Sequence, residues 1–178
     1  FGIDGGNIEK ALALFTGVKV KDKKKRGMYL SAARSMIFNE VISERIQQHT
    51  FSQARVGDVL MLAGTQSVFH LDEVDSSINQ RLLEKDVDIT ATMWGSGDLM
   101  SSAEPEALEK AVADKYSEFS QGLPRFGLKQ ERRRIRLVVD NADISVLPHE
   151  ATSNSALSTV KVSFFLAAGS YATTVLRE

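Results

Sequence analysis

An α+β fold is predicted by three features: one long helical pattern, two short segments of clean alternation, and no regular strand–helix–strand repeat. The helical pattern runs from Met28 to about Gln48. With Leu30 as zero and 100° per residue, Ile37, Val41 and Phe38 fall in one sector from about −20° to +80°. Arg34 and Arg45 fall in the same sector. A guanidinium among Leu, Ile, Val and Phe is costly unless it is paired. Arg45 is close enough to the helix end to reach the last carbonyls or water. Arg34 has no such exit, and two readings are open: a buried pair with a carboxylate, or a cation at the rim of a cleft that meets phosphate.

The elements follow in order. Gly2 to Gly6 form a glycine-rich turn, with Asn7 as expected N-cap. Ile8, Ala11, Leu12 and Phe15 then make one apolar helix face that Gly17 ends. The Gly-Gly turn lacks both phosphate-loop patterns, so it reads as a simple turn. A Lys-rich linker leads into the long helix. Residues 58–62 and 67–69 read as short strands around Ala63-Gly64-Thr65. Leu71, Val74, Ile78 and Leu82 mark a helix ending near Lys85, and 87–93 alternates as a strand. Trp94-Gly95-Ser96-Gly97 breaks it. A helix with Pro105 in its first turn carries Leu108, Ala111, Val112, Tyr116 and Phe119 on one face, and Gly122 and Pro124 close it. Residues 132–139 alternate again, with Arg132, Arg134 and Arg136 on one face: a ligand-facing row or a charged edge strand. Residues 148–158 read as an exposed loop, and 160–166 as the last strand.

Composition sets outer bounds. The 178 residues are 43% hydrophobic and 25% charged, an ordinary globular balance. The absence of cysteine excludes disulfides, thiolate metal sites and cysteine nucleophiles, and fits a reducing, cytoplasmic location. No apolar run is long enough for a membrane helix. The first residue, Phe1, points to a processed chain, a fragment or part of a longer protein. Net charge is −1, yet 12 of the 22 basic residues lie in two stretches, Lys19–Arg26 and Arg125–Arg136. Such clusters suit nucleic-acid phosphates or a solvated surface. His49, His70 and His149 lack metal-ligand spacing, and no G-x-S-x-G elbow is present. Asp86 and Asp88 are expected on a solvated strand face.

Four segments occur together in order: F-G-I-x-G-G-N at 1–7, K-R-x-x-x-L-S-A-A-R-S-x-x-F-N at 25–39, G-D-V-L-M-L-A-G at 57–64 and A-G-S-Y-A-T-T-V-L-R-E at 168–178. With I-T-A-x-x-x-G-S-G at 89–97, they resemble the C-terminal half of tRNA pseudouridine synthases of the TruD family. The chain departs from the family at Met93-Trp94, where Leu-Pro is usual. The resemblance implies an enzyme that isomerises uridine at position thirteen, in the tRNA D arm, to pseudouridine, without metal or organic cofactor. It implies a mixed α/β insertion domain at 19–159, flanked by catalytic-domain pieces at 1–18 and 160–178. The family's catalytic aspartate lies in a G-x-K-D-K-x-A-x-T motif that this sequence does not contain, and no other aspartate replaces it. The chain alone is therefore expected to be inactive. Its expected partners are tRNA and the missing N-terminal part of the catalytic domain, with no membrane. The RNA-binding candidates are Lys24, Lys25, Arg26, Arg34, Asn39 and Arg177. The rival reading is a non-catalytic RNA-binding module; an upstream G-x-K-D-K motif in frame would decide for the enzyme.

Overall fold

In the computed structural model, residues 5–147, 159–166, 170 and 172–176 are described. The chain divides into two compact units, Phe1–Ile135 and Arg136–Glu178. The first holds helices α1 (Gly6–Phe15), α2 (Lys23–Gln47), α3 (Ser76–Leu83), α4 (Ala103–Lys115) and α5 (Ser117–Arg125). Its strands are β1 (Val59–Leu62), β2 (Val68–His70), β3 (Val87–Met93) and β4 (Glu131–Arg134), in the antiparallel order β2-β1-β3-β4. The second unit contains β5 (Asp140–Leu147) and β6 (Thr159–Phe165), an antiparallel pair, and the short α6 (Ala172–Val175). Helices and strands mix as the α+β reading expects. The exposed loop expected at 148–158 lies outside the described residues.

The core of the first unit is built on α2 and β3. Ala33, Ile37, Phe38 and Val41 of α2 share one buried cluster with Ile89 and Ala91 of β3 and Val112 of α4. The expected apolar sector is therefore the buried face. The alternation of β3 has a different outcome: Val87 through Thr92 are all buried. Val87, Ile89 and Ala91 join the apolar core, while Asp88, Thr90 and Thr92 are buried in a polar layer. Asp88, expected to be solvated, lies 3.3 Å from Arg134 Nε; Asp86 is exposed as expected.

Several boundaries differ from the sequence reading, each for a local reason. Gly5, not Asn7, caps α1, because it adopts the left-handed conformation that glycine tolerates (φ 77°). The lysine run is the first turn of α2, not a linker. Four basic residues at a helix N-terminus are unfavourable, but the Asp22 carboxylate accepts from Lys24 N (2.9 Å) and Lys25 N (3.2 Å) and caps the turn. Likewise α3 begins after Asp75, which accepts from Ile78 N (2.8 Å). The single helix expected across 105–119 is broken at Tyr116 into α4 and α5. Gly122 and Pro124 lie inside α5 rather than after it. Gly122 is small because Phe15 of α1 packs against it, and a Cβ there would overlap the ring. The strand expected over 132–139 stops at Arg134, and β5 starts anew at Asp140.

A Lys115–Glu40 ion pair ties α4 to α2. The hydrogen bond to Glu40 raises the Lys115 pKa above 10.5, and burial chiefly raises Tyr116 above 10.0. Raised values mean that the folded state holds these protons more tightly. Their stabilisation is complete below the unfolded values and is lost as pH rises through the folded ones. The urea midpoint is expected to fall above pH 10.5, and Glu40→Gln to flatten that fall.

Candidate functional site

The basic first turn of α2 places Lys24 and Lys25 in solvent and leaves Arg26 half-buried. Asn39 is also exposed on α2. It lies about 40° around the helix from Lys25 and about 21 Å along it, so the two share one outer stripe. Arg34 is on another side, about 140° from Asn39. The structure thus brings Lys24, Lys25 and Asn39 onto one surface and separates Arg34 from them. Arg177 lies outside the described residues.

Arg34 is 9% exposed and its guanidinium is committed within the fold. Nε donates to the Trp94 carbonyl (3.0 Å), and one terminal nitrogen donates to Glu131 Oε2 (3.0 Å). The other donates to the carbonyls of Met93 (2.8 Å) and Lys129. One side chain therefore clamps the end of β3 and the approach to β4 onto α2. Glu131 is largely exposed, so the ion pair itself contributes little; the backbone acceptors carry the interaction. Of the two readings open for Arg34, this geometry supports the buried one.

The turn beyond β3 explains the neighbouring motif. A Cβ on Gly95 would collide with the backbone of Lys129 and Leu128. Ser96 N donates to Leu128 O (2.7 Å) and Gln130 N to Ser96 O (2.9 Å), joining the two segments. Trp94 Nε1 donates to Ser120 O (3.1 Å), which anchors the departure from the family pattern on α5.

Arg45, expected to meet the last carbonyls of its helix or water, is instead 3% exposed and donates to the carbonyls of Thr50 and Gln53 in the loop beyond α2. It also forms a two-pronged pair with Asp58, at 2.7 and 3.0 Å, which the sequence reading missed. Asp58 is 1% exposed and also accepts from Arg55 N (2.8 Å). Gly57, beside it, has φ 93°, and a Cβ there would overlap Ser102. The Gly57-Asp58 portion of the motif at 57–64 is thus a packing and pairing device.

Of the expected row of Arg132, Arg134 and Arg136, only the first two lie on β4, and both turn inward; Arg136 falls beyond the strand. Arg132 donates to Glu109 (2.9 Å), Thr90 Oγ1 (2.9 Å) and Thr90 O (2.9 Å). Glu109, 2% exposed, accepts in addition from Thr92 N and Ser101 Oγ. Arg134 donates to Leu62 O (2.6 Å) and Thr65 O (2.9 Å). These groups close the polar layer over β3, where Arg134 Nε is buried without a hydrogen bond but 3.3 Å from the Asp88 carboxylate, so Arg132 and Arg134 are not a ligand-facing row. Arg133, on the opposite side, stacks 5.7 Å from the Phe38 ring centroid.

His70 bridges Asp72 Oδ1 and Ser102 Oγ, both at 2.8 Å. The Asp72 side chain is 92% exposed, so we read the bridge as a tie between β2 and the start of α4. Among the described residues, no group of three or more His, Cys, Asp or Glu is placed to hold a metal ion. Among the same residues, no helix is long and apolar enough to cross a membrane.

Lys24, Lys25 and Asn39, on the outer stripe of α2, are exposed and open to a large anionic partner. Comparison with known proteins gives that stripe a context. The family model described as tRNA pseudouridine synthase D (TruD) matches residues 6–178. A relative of that name from Colwellia psychrerythraea is 70% identical over all of this chain, which covers 49% of the relative. Another from Aeromonas salmonicida is 40% identical, again over the whole chain and 48% of the relative. The chain thus spans about half the length of the curated relatives it matches. A crystal structure described as TruD from Methanosarcina mazei superposes with a TM-score of 0.71 over 99% of this chain and 45% of that one. At 21% identity, this likeness speaks to the fold alone. By the family match and the identity of its relatives, the chain belongs to the tRNA pseudouridine synthase D (TruD) family.

Proposed function

We propose that this chain is the C-terminal, RNA-positioning portion of a cytoplasmic tRNA pseudouridine synthase that isomerises uridine thirteen. The observation that carries the reading is the family match across residues 6–178. In this reading residues 19–159 form the insertion domain, and 1–18 and 160–178 complete a catalytic domain whose aspartate lies in the other half. Cleaving the glycosidic bond, turning the base and rejoining it through carbon requires the nucleotide to leave its stack. This chain contributes positioning, a large share of any such barrier.

Lys24, Lys25 and Arg26 supply phosphate contacts, and Asn39 extends the same surface. Arg177, in the terminal motif, is a further RNA-binding candidate. Arg34 acts at one remove, as a positioning residue that fixes the segments around β3 and β4. Two results are expected. The 178-residue chain alone forms no pseudouridine in tRNA; turnover by the purified chain would overturn the division of labour. Changing Lys24, Lys25 and Arg26 together to alanine reduces the salt dependence of tRNA binding by about 0.7–0.9 in log–log slope per lost phosphate contact. An unchanged slope would mean that this turn is only a solvated surface.

A further inference from the structure

Between the α1–α2 connection and the end of α5 lies an open cavity of about 380 Å3. Leu14, Val18 and Phe126 contribute its apolar lining, and Lys19, Lys21 and Arg26 are its cations. No acidic residue is among the described residues that line it. Gly17, at φ 107°, turns the chain out of α1 and sends Val18 and Lys19 along one wall. Phe126 is braced by Phe15, with ring centroids 5.8 Å apart at 54°, yet remains 37% exposed. Val18 is 55% exposed.

This combination is selective. A merely solubilising charge run has no need of an apolar floor, and a site for a small free anion would not surround it with Leu, Val and Phe. An acidic protein segment would suit the cations but gains nothing special from an aromatic ring. An unpaired nucleotide matches both halves, since its base stacks on an aromatic or apolar surface while its phosphate meets Lys and Arg. The volume falls at the small end of ligand sites, enough for one nucleotide rather than a duplex segment. The α2 backbone amides of Lys24 and Lys25 are not the donors to the anion, because they already donate to the Asp22 carboxylate.

We propose that this cavity binds one unpaired RNA nucleotide, with its base against Phe126 and Val18 and its phosphates on Lys19, Lys21 and Arg26. The proposal rests on the RNA-binding reading above and adds to it a discrete pocket that distinguishes single-stranded RNA from a bare polyanion.

The test uses fluorescence anisotropy of the 178-residue chain with a labelled short uridine RNA and an abasic sugar-phosphate chain of equal length. The native chain is expected to prefer the uridine RNA by about fivefold or more, the low end of base–aromatic stacking. Phe126→Tyr keeps that preference, and Phe126→Leu, which retains apolar bulk, loses most of it. Arg26→Ala lowers the salt slope by about 0.7 for the lost single-strand contact. Equal binding of the two probes by the native chain, or a preference unaffected by Phe126→Leu, overturns the pocket. If the probes overturn the pocket in that way while a Lys24→Ala/Lys25→Ala variant still lowers the salt slope of tRNA binding, the pocket alone falls and the RNA-binding reading stands. If the native chain binds neither probe nor tRNA, both readings fall.

Discussion

Replacing Asp58 by alanine is expected to lower the unfolding free energy by about 3–5 kcal/mol, because it strands a buried guanidinium. Arg45 is 3% exposed, and its only carboxylate partner at hydrogen-bond distance among the described residues is Asp58. The carbonyls of Thr50 and Gln53 would still accept from it, but they cannot balance its charge. A native domain has only about 5–15 kcal/mol in hand, so the variant should unfold at markedly lower urea or temperature. The paired replacement Arg45→Met/Asp58→Leu removes both charges and is expected to cost much less than Asp58→Ala alone. Urea denaturation of the three proteins measures the difference. A single variant as stable as the double would show that the pair is not what holds the end of α2 to β1.

Arg34→Ala is the second large effect, expected to cost about 3 kcal/mol, since hydrogen bonds to charged groups contribute about 1.5–3 each and several are lost together. The carbonyls of Met93, Trp94 and Lys129 lose their donor at once. Arg34→Lys should recover little, because an ammonium cannot span acceptors arranged for a planar fork. The salt slope of tRNA binding, measured where the variant is folded, is expected to match the native value. A stable variant with a reduced slope would instead put the guanidinium on RNA. The two experiments distinguish a clamp from a contact.

The sequence revealed the buried face of α2 because apolar side chains at helical spacing report directly on what must leave water. It revealed β3 for the same reason, through alternation. It could not reveal that the other face of β3 is buried too, because Asp88, Thr90 and Thr92 look like a solvent face until Glu109, Arg132 and Arg134 close over them. Those partners are 17 to 46 residues away, and nothing in local spacing joins them. Arg34 shows the same limit more sharply. Its cost was legible, but three of its four acceptors are backbone carbonyls, which every residue possesses and no sequence pattern marks. Family motifs were the stronger guide to ancestry and the weaker one to contact. Leu30-Ser31-Ala32-Ala33-Arg34 belongs to the most recognisable stretch, yet Ala32, Ala33 and Arg34 are buried. The exposed lysines before them were visible as charge, but their place in the helix depended on Asp22, a single capping residue.

The contact between Phe15 and Gly122 has a consequence for how this sequence can change. A side chain at 122 would overlap the ring at 15, while a smaller residue at 15 would leave a void under α5. Each position therefore sets what the other can tolerate. A library varied at either site alone should return almost only the present residue, whereas one varied at both should return pairs in which bulk moves from α1 to α5. Drift at this contact is a two-step path whose intermediate is the least stable form, and the two positions should change together or not at all.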